Sequence, residues 1–171
     1  MSDSFKKQLR EKKSMEKVHM TPEGFKNLED ELKNLKFVER PAIVNAISEA
    51  RALGDLSENA EYQYAKNKQG FIEGRIKELE SKLSRAEVID ITKLSGTCVK
   101  FGATVTIYDN SSESETTYKI VGIDESDIKK KRLSIESPLA KALIGKNVGD
   151  EVKLTTPSGV KEYEIIDVKY K

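Results

Sequence analysis

The chain has little of what catalytic and metal sites are usually made from. Its 171 residues include one cysteine, Cys98, one histidine, His19, and no tryptophan. A lone cysteine excludes an internal disulfide and cannot by itself build a zinc site, and a lone histidine excludes schemes that need two imidazoles. The sequence also contains no P-loop, no dinucleotide-binding glycine motif, no nucleophile elbow and no zinc-peptidase motif. We therefore expect no catalytic centre of these kinds.

The chain also has no excess of positive or negative charge. Thirty Lys and Arg stand against 29 Asp and Glu, a net charge of +1, so the overall field cannot drive tight non-specific binding to nucleic acid. No apolar run approaches the roughly 20 residues of a membrane span, and the basic residues 1–19 contain no apolar core of a secretion signal. We expect a cytoplasmic, monomeric protein with a flexible extension over residues 1–19 and no membrane partner.

Apolar spacing predicts a first long helix over residues 22–52. Thr21 supplies a hydroxyl N-cap, Pro22 occupies the first helical position, and Glu23 places an acid at the positive end of the helix dipole. Apolar residues then recur at spacings of three and four. Pro41 lies inside this pattern and lacks a backbone donor, so we expect a bend or a short interruption there. Gly54 is placed to end the helix.

A second apolar stripe predicts the other arm of a helical hairpin. It runs at alternating spacings of four and three, a heptad seam formed by Ala65, Gln69, Ile72, Ile76, Leu79, Leu83 and Ala86. Two long helices joined by a few residues lie antiparallel, so residues 20–92 are predicted to form a coiled-coil hairpin with its turn at 54–57. At 1.5 Å per residue the turn lies about 45 Å from the base. Gly70 and Gly74 are expected to allow close approach of the facing helix.

After residue 92 the pattern changes to the β-branched and aromatic alternation of strands. Five strands are predicted, at residues 99–108, 116–121, 132–135, 151–155 and 160–168. One short helix interrupts them, with Ser137 as N-cap, Pro138 as first residue and Gly145 as terminator. Residues 93–171 are therefore predicted to form a small, mostly antiparallel sheet domain with a short helix, and the fold class is α+β.

The hairpin turn carries the strongest candidate site. Asp55 and Glu58 lie three residues apart where the second helix is predicted to begin. One interpretation is a capping box, in which Asp55 accepts from the amide of Glu58 and Glu58 reaches back to the amide of Asp55. The other is a divalent-metal site, because two neighbouring carboxylates can share a cation. Magnesium prefers six oxygen ligands, so a second molecule would have to supply the others.

Three segments resemble a known family. Residues 47–75, ISEARALGDLSENAEYQYAKNKQGFIEGR, are similar to the signature of the bacterial Gre transcript-cleavage factors, in particular the GreA type, and so are residues 101–105, FGATV, and 137–146, SPLAKALIGK. The resemblance implies a coiled-coil hairpin followed by an FKBP-like domain. It also implies a factor that binds bacterial RNA polymerase, inserts the hairpin into its secondary channel and stimulates the polymerase's own cleavage of a backtracked RNA 3′ end. Such a factor is an accessory protein, not an enzyme.

The resemblance also assigns residues. The family's two functional tip acids fall on Asp55 and Glu58, which would help hold a magnesium ion shared with the polymerase active site, and no metal would be bound tightly by the isolated protein. Arg51 and Asn59 would have supporting roles at the tip. The basic patch that contacts the nascent RNA would consist of Lys66, Lys68 and Arg75, and the polymerase-docking segment would include Ser137, Pro138 and Leu139.

Two alternatives remain open at this point. An inhibitory relative could enter the same channel without promoting cleavage, although Asp55 and Glu58 match the cleaving pattern. A folding or interaction module is the second alternative, in which the hairpin is a scaffold and the two acids are only helix caps.

Overall fold

The structure, a computed structural model, describes residues 16–55 and 58–171. They divide into two units. The hairpin unit contains residues 16–18 and the described part of 25–86, and the sheet unit contains His19–Gly24 and Glu87–Lys171. The greater part of the predicted basic extension therefore lies outside the described residues. Its last residues differ from the prediction, because Val18–Met20 forms a strand, β1, that pairs with β2 at Ala86–Val88. Within the described residues, no helix has the length and hydropathy needed to span a bilayer.

The first arm of the hairpin is helical with one change of winding. Helix α1 covers Pro22–Asn34, a π-helical segment covers Leu35–Glu39, and α2 covers Arg40–Ala52. The predicted interruption is confirmed, and it lies just before Pro41, which occupies the first turn of α2. Proline has no N–H to continue the regular ladder and its ring crowds the preceding turn, so the backbone before it is the part that changes. At the other end, the Thr21 hydroxyl accepts from the amide of Gly24 at 3.1 Å, the predicted N-cap bond.

The second arm is helix α3, Ala60–Ser84. Its seam packs against the first arm through a buried apolar cluster of Ile43, Ile47, Ala65, Ile72 and Ile76. The predicted seam is correct within the helix, with Gln69 and Leu83 only partly buried, but its last member, Ala86, lies beyond the helix in β2.

The explanation expected for two glycines of α3 is wrong. Gly70 and Gly74 are exposed, and a Cβ added at either position would meet nothing within 4 Å. They lie on the outer surface of the helix and do not face α1 or α2, so close helix packing does not account for them.

Two arginine forks join the arms of the hairpin. Arg75 on α3 binds the Glu31 carboxylate through Nε at 2.7 Å and Nη2 at 2.9 Å. Arg40 on α2 binds Glu73 in the same bidentate way, at 2.7 and 2.6 Å. A planar guanidinium that meets a carboxylate with two parallel bonds fixes orientation as well as distance. These pairs therefore add directional contacts to a seam that is otherwise held by non-directional packing.

The sheet unit is built on a five-stranded sheet. The strands are β3 Ala103–Asp109, β4 Ser114–Val121, β5 Arg132–Ser134, β6 Glu151–Thr156 and β7 Gly159–Tyr170. They lie in the order β5-β4-β3-β7-β6. Three of the ladders are antiparallel, and β4 pairs with β5 in parallel, so the sheet is mixed. Helix α4, Pro138–Leu143, covers one face and places Ala140 and Leu143 in the core with Val105, Ile107 and Ile165.

All five predicted strands exist, but the first begins later than predicted. The prediction placed its start at Val99, whereas β3 begins at Ala103. The physical reason is a turn just before β3, where Gly102 has a φ of 79°, in the left-handed region that suits glycine. Cys98, next to the predicted start, lies outside the strands and pairs with Asn147 in an isolated bridge.

The lone histidine has a partner that sequence reasoning did not identify. His19 Nε2 lies 3.2 Å from the carboxylate of Glu87, and the ring meets Phe101 edge to face at 6.0 Å between centroids. Among the described residues no group of three His, Cys, Asp or Glu is arranged to hold a metal ion. We therefore assign His19 a local structural role.

Candidate functional site at the hairpin tip

The tip loop joins the end of α2 to the start of α3. After Leu53 the chain turns at Gly54, which has a φ of 123°, and a Cβ there would meet no described residue within 4 Å apart from its chain neighbours. Such a backbone is accessible to glycine at little cost and strains other residues. Asp55 and Glu58 follow, and both are exposed. The residues between them, 56 and 57, lie outside the described residues.

The capping-box interpretation of the two acids is wrong. Helix α3 begins at Ala60, and its N-cap is Asn59, whose Oδ1 accepts from the amide of Tyr62 at 3.0 Å. The helix thus starts later than a box from Asp55 to Glu58 requires. Asn caps a helix as well as Asp does, and only Asp55 had been considered for this role from the sequence. The two acids consequently precede the helix and do not form its first turn.

Asn59 and Arg51, expected to support the tip, both contact the facing helix. The Asn59 amide nitrogen donates to the carbonyl oxygen of Ala50 at 2.6 Å. The Arg51 guanidinium lies 5.8 Å from the centre of the Tyr62 ring, within the range of a cation–π interaction. These contacts join the last turn of α2 to the first turn of α3. Tyr62 was not singled out from the sequence, and the only signal was its place three residues after an N-cap Asn.

The donor set at the tip fits part of a magnesium site and no more. Asp55 and Glu58 offer hard carboxylate oxygens on an exposed loop, the ligand type that magnesium prefers. Over the described part of the chain, no third acidic, His or Cys side chain joins them to form a cluster of metal-ligand type. The residues therefore fit a cation whose other ligands come from elsewhere.

The three predicted RNA-contacting cations do not form one patch of uncommitted charge. Lys66 donates to Gln69 at 3.0 Å, and Lys68 lies 3.8 Å from Glu39. Arg75 binds Glu31 and also Glu78, at 3.0 Å. The hydrogen bonds that Arg75 donates to Glu31, opposed by partial burial, raise the pKa of Arg75 above its usual value. Arg75 thus holds the hairpin together, whatever else it contacts, while the two lysines remain exposed.

The predicted docking segment begins helix α4 of the sheet unit. The Ser137 hydroxyl accepts from the amide of Ala140 at 3.2 Å, the predicted N-cap bond. Leu139 is partly buried and packs against the core of the unit. Pro138 occupies the first turn of the helix and is exposed. The structure therefore gives Ser137 and Leu139 structural roles and leaves Pro138 on the surface.

Comparison with known proteins covers nearly the whole described chain. The family model for the N-terminal part of transcription elongation factors matches residues 18–88, and that for the C-terminal part of the GreA/GreB factors matches residues 94–170. Transcription elongation factor GreA of Rhodospirillum rubrum is 60% identical over 156 residues, which are 91% of this chain and 99% of that protein. Transcription elongation factor GreA of Rickettsia prowazekii is 63% identical over 155 residues, 91% of this chain and 96% of that protein.

Solved structures with the same coverage are more distant. The GreA factor homolog 1 protein of Thermus thermophilus has 27% sequence identity and a TM-score of 0.42, covering 90% of this chain and 99% of that one. The GreA/GreB elongation factor from Nitrosomonas europaea has 27% identity and a TM-score of 0.40, covering 90% and 100%. The family models and the GreA relatives decide the assignment: this chain belongs to the GreA/GreB family of transcription elongation factors.

Proposed function

We propose that this protein binds bacterial RNA polymerase, inserts its hairpin into the secondary channel and stimulates the polymerase's own cleavage of a backtracked RNA 3′ end. In this role it rescues arrested complexes as an accessory factor and is not itself an enzyme. The GreA relatives are named transcription elongation factors, and the proposal adds a specific action to that general role. It rests on the resemblance of the tip motif together with the geometry of the hairpin.

One observation carries the proposal: both tip acids are exposed on a loop that precedes the helix, and neither supplies its N-cap. Helix α3 has 25 residues, so at 1.5 Å per residue it extends the loop roughly 37 Å from the other end of that helix. The apolar seam and the two arginine forks keep the arms together over this length. A narrow helix pair of this kind can present two carboxylates inside a channel.

The acids would act on a cation that the polymerase holds in part. Asp55 and Glu58 would supply two carboxylate oxygens to a magnesium ion, and that ion, when bound, lowers the pKa of a water and stabilises the charge that develops during attack on phosphorus. The role of this chain is to bring the carboxylates to the ion and to hold them there. Arg51 and Asn59 support the loop through Tyr62 and Ala50.

Two further surfaces complete the proposal. Lys66, Lys68 and Arg75 would contact the extruded RNA 3′ segment, with the two lysines the more available because Arg75 is already bound to Glu31. The segment around Ser137, Pro138 and Leu139 would dock on the polymerase, with Pro138 exposed for direct contact. Since the proposed docking residues belong to the sheet unit, changes at the tip should leave binding largely intact.

The decisive experiment uses a stalled, backtracked polymerase complex with magnesium and follows shortening of the RNA 3′ end. We expect the protein to accelerate shortening above the rate of polymerase alone. Asp55→Asn and Glu58→Gln should each remove most of the acceleration while changing polymerase affinity by less than about threefold, the pattern of a lost transition-state interaction. Glu61→Gln is the matched control, because Glu61 is an exposed carboxylate in the first turn of α3, outside the loop.

The other outcomes separate the alternatives. Binding to the polymerase with slower RNA shortening or none would identify an inhibitory relative and reject the proposal. No binding to the polymerase would favour a folding or interaction module. Equal loss of acceleration in the Glu61→Gln control would show that the effect is general to the charge of the tip and is not specific to the two acids.

A further inference from the structure

Asn59 bonds to both helices at the base of the tip loop. Its Oδ1 accepts from the amide of Tyr62 at 3.0 Å, which is the N-cap bond of α3, and its Nδ2 donates to the carbonyl of Ala50 at 2.6 Å in the last turn of α2. A cap needs only the acceptor, and Ser or Asp provides one equally well. An ionised Asp has no donor, and the Ser hydroxyl is one bond shorter. The bond to Ala50 is thus a contact beyond capping.

The Ala50 bond closes the loop that contains both acids. Residues 51–58 lie between the bonded carbonyl and Asn59, and Asp55 and Glu58 are among them. Within this stretch the chain turns through the left-handed backbone of Gly54. Fixing the ends of a loop reduces the number of conformations that it samples. Two carboxylates that must reach one cation gain from this restriction, because a misplacement of about 1 Å at a reacting centre can cost a hundredfold in rate.

We infer that Asn59 is a positioning residue, which sets the geometry of Asp55 and Glu58 by joining the end of α2 to the start of α3. The inference rests on the proposed function. It adds a way in which the free protein restricts the positions of Asp55 and Glu58 before the protein binds the polymerase. The Arg51 guanidinium over the Tyr62 ring at 5.8 Å provides a second contact across the same base. Since the polymerase-docking residues lie in the other unit, the bridge should affect the rate of cleavage and its metal dependence more than binding.

Substitutions at one position separate the bridge from the cap. Asn59→Asp keeps an acceptor for the Tyr62 amide and, when ionised, has no donor for Ala50. Asn59→Ser also keeps the acceptor, but its hydroxyl is one bond shorter than the Asn Nδ2 that reaches Ala50, and Asn59→Ala removes both bonds. The serine variant also controls for the charge that aspartate adds. With saturating factor we expect both Asn59→Ser and Asn59→Asp to slow cleavage about tenfold and to raise the Mg²⁺ concentration for half-maximal rate. The factor concentration for half-maximal effect should change by less than about threefold.

Hydrogen exchange on the free protein gives a readout that needs no polymerase. In Asn59→Ser, amides 51–55 should exchange faster than in the wild type, while the Tyr62 amide keeps its protection because the cap remains. In Asn59→Ala both regions should exchange faster. An unchanged exchange pattern over 51–55 in the serine variant would show that the Ala50 bond does not order the loop, and would overturn the inference.

The cleavage results distinguish this inference from the proposed function. If the wild type accelerates cleavage and both Asn59→Ser and Asn59→Asp match it in rate and Mg²⁺ dependence, Asn59 is an N-cap only. A slower rate with an unchanged Mg²⁺ dependence would also reject positioning of the acids, because a general loss of folded hairpin produces that result. If the wild type itself does not accelerate cleavage, the proposed function fails, whatever the variants do.

Discussion

The carboxylate of Glu125 occupies the space that a side chain at Gly24 would need. A Cβ at Gly24 would lie 2.2 Å from Glu125 Cδ. The Glu125 side chain is only 4% exposed, and it accepts from the amides of Thr21 at 3.0 Å and Gly122 at 3.2 Å, and from the Thr21 hydroxyl. The first turn of α1 and the turn that contains Glu125 therefore share one buried acceptor within the sheet unit.

Gly24→Ala should destabilise the protein for this reason. The methyl group would displace a buried carboxylate from its backbone donors, and we expect the free energy of unfolding to fall by about 1–3 kcal/mol, although helix propensity alone favours alanine by about 1 kcal/mol. Gly74→Ala is the matched control in an open, exposed stretch of α3, and it should raise the free energy of unfolding by about 0.5–1 kcal/mol. Urea denaturation measures both, and stabilisation by Gly24→Ala would contradict the close contact.

The Arg40–Glu73 fork should make the hairpin sensitive to acid. The hydrogen bonds from Arg40 hold the pKa of Glu73 below its usual value. A carboxyl whose pKa is lower in the folded state stabilises that state above its unfolded pKa of about 4.3, and the contribution is lost as the pH falls through the lower folded value. Denaturation midpoints measured from pH 6 to pH 3 should therefore decline less steeply in Glu73→Gln than in the wild type. Identical slopes would show that the fork contributes nothing.

Arg75 offers a way to separate a structural role from contact with RNA. Arg75→Ala and Glu31→Gln remove the same bidentate pair. Because the two side chains are 35% and 39% exposed, each change should lower the free energy of unfolding by at most about 1 kcal/mol. If Arg75 also contacts the RNA, Arg75→Ala should reduce cleavage of longer backtracked segments and Glu31→Gln should not. Equal effects of the two variants on cleavage would remove Arg75 from the RNA-contacting set.

The isolated protein should bind magnesium weakly. Asp55 and Glu58 are exposed, and among the described residues no third ligand side chain joins them. Two carboxylates satisfy only part of an octahedral site, so we expect a dissociation constant in the millimolar range or weaker, about that of the weakest calcium modules. Calorimetric titration with Mg²⁺ tests this. Tight binding that disappears in an Asp55→Asn, Glu58→Gln double variant would reveal ligands beyond the two acids.

Local sequence signals predicted most of the fold because each acts over a few residues. The Thr21 and Ser137 caps, the interruption before Pro41 and the seam from Ala65 to Leu79 all depend on spacing, backbone donors and side-chain size. The sequence also placed both acids in the turn of a hairpin, since Gly54 ends one apolar stripe and a second begins shortly afterwards.

Where several local solutions competed, only tertiary structure decided. The sequence predicted Asp55 as a cap, whereas the N-cap is Asn59, which also reaches Ala50 on the facing helix, a partner that cannot be read from sequence. Gly74 was expected to face a helix, but it is exposed to solvent. Gly24, in contrast, lies directly against the side chain of Glu125, which is 101 positions later in the sequence. Contacts between residues distant in sequence depend on how the elements pack. The sequence therefore identified the residues of the tip, and the packing determined which of them contact the facing helix and which remain exposed.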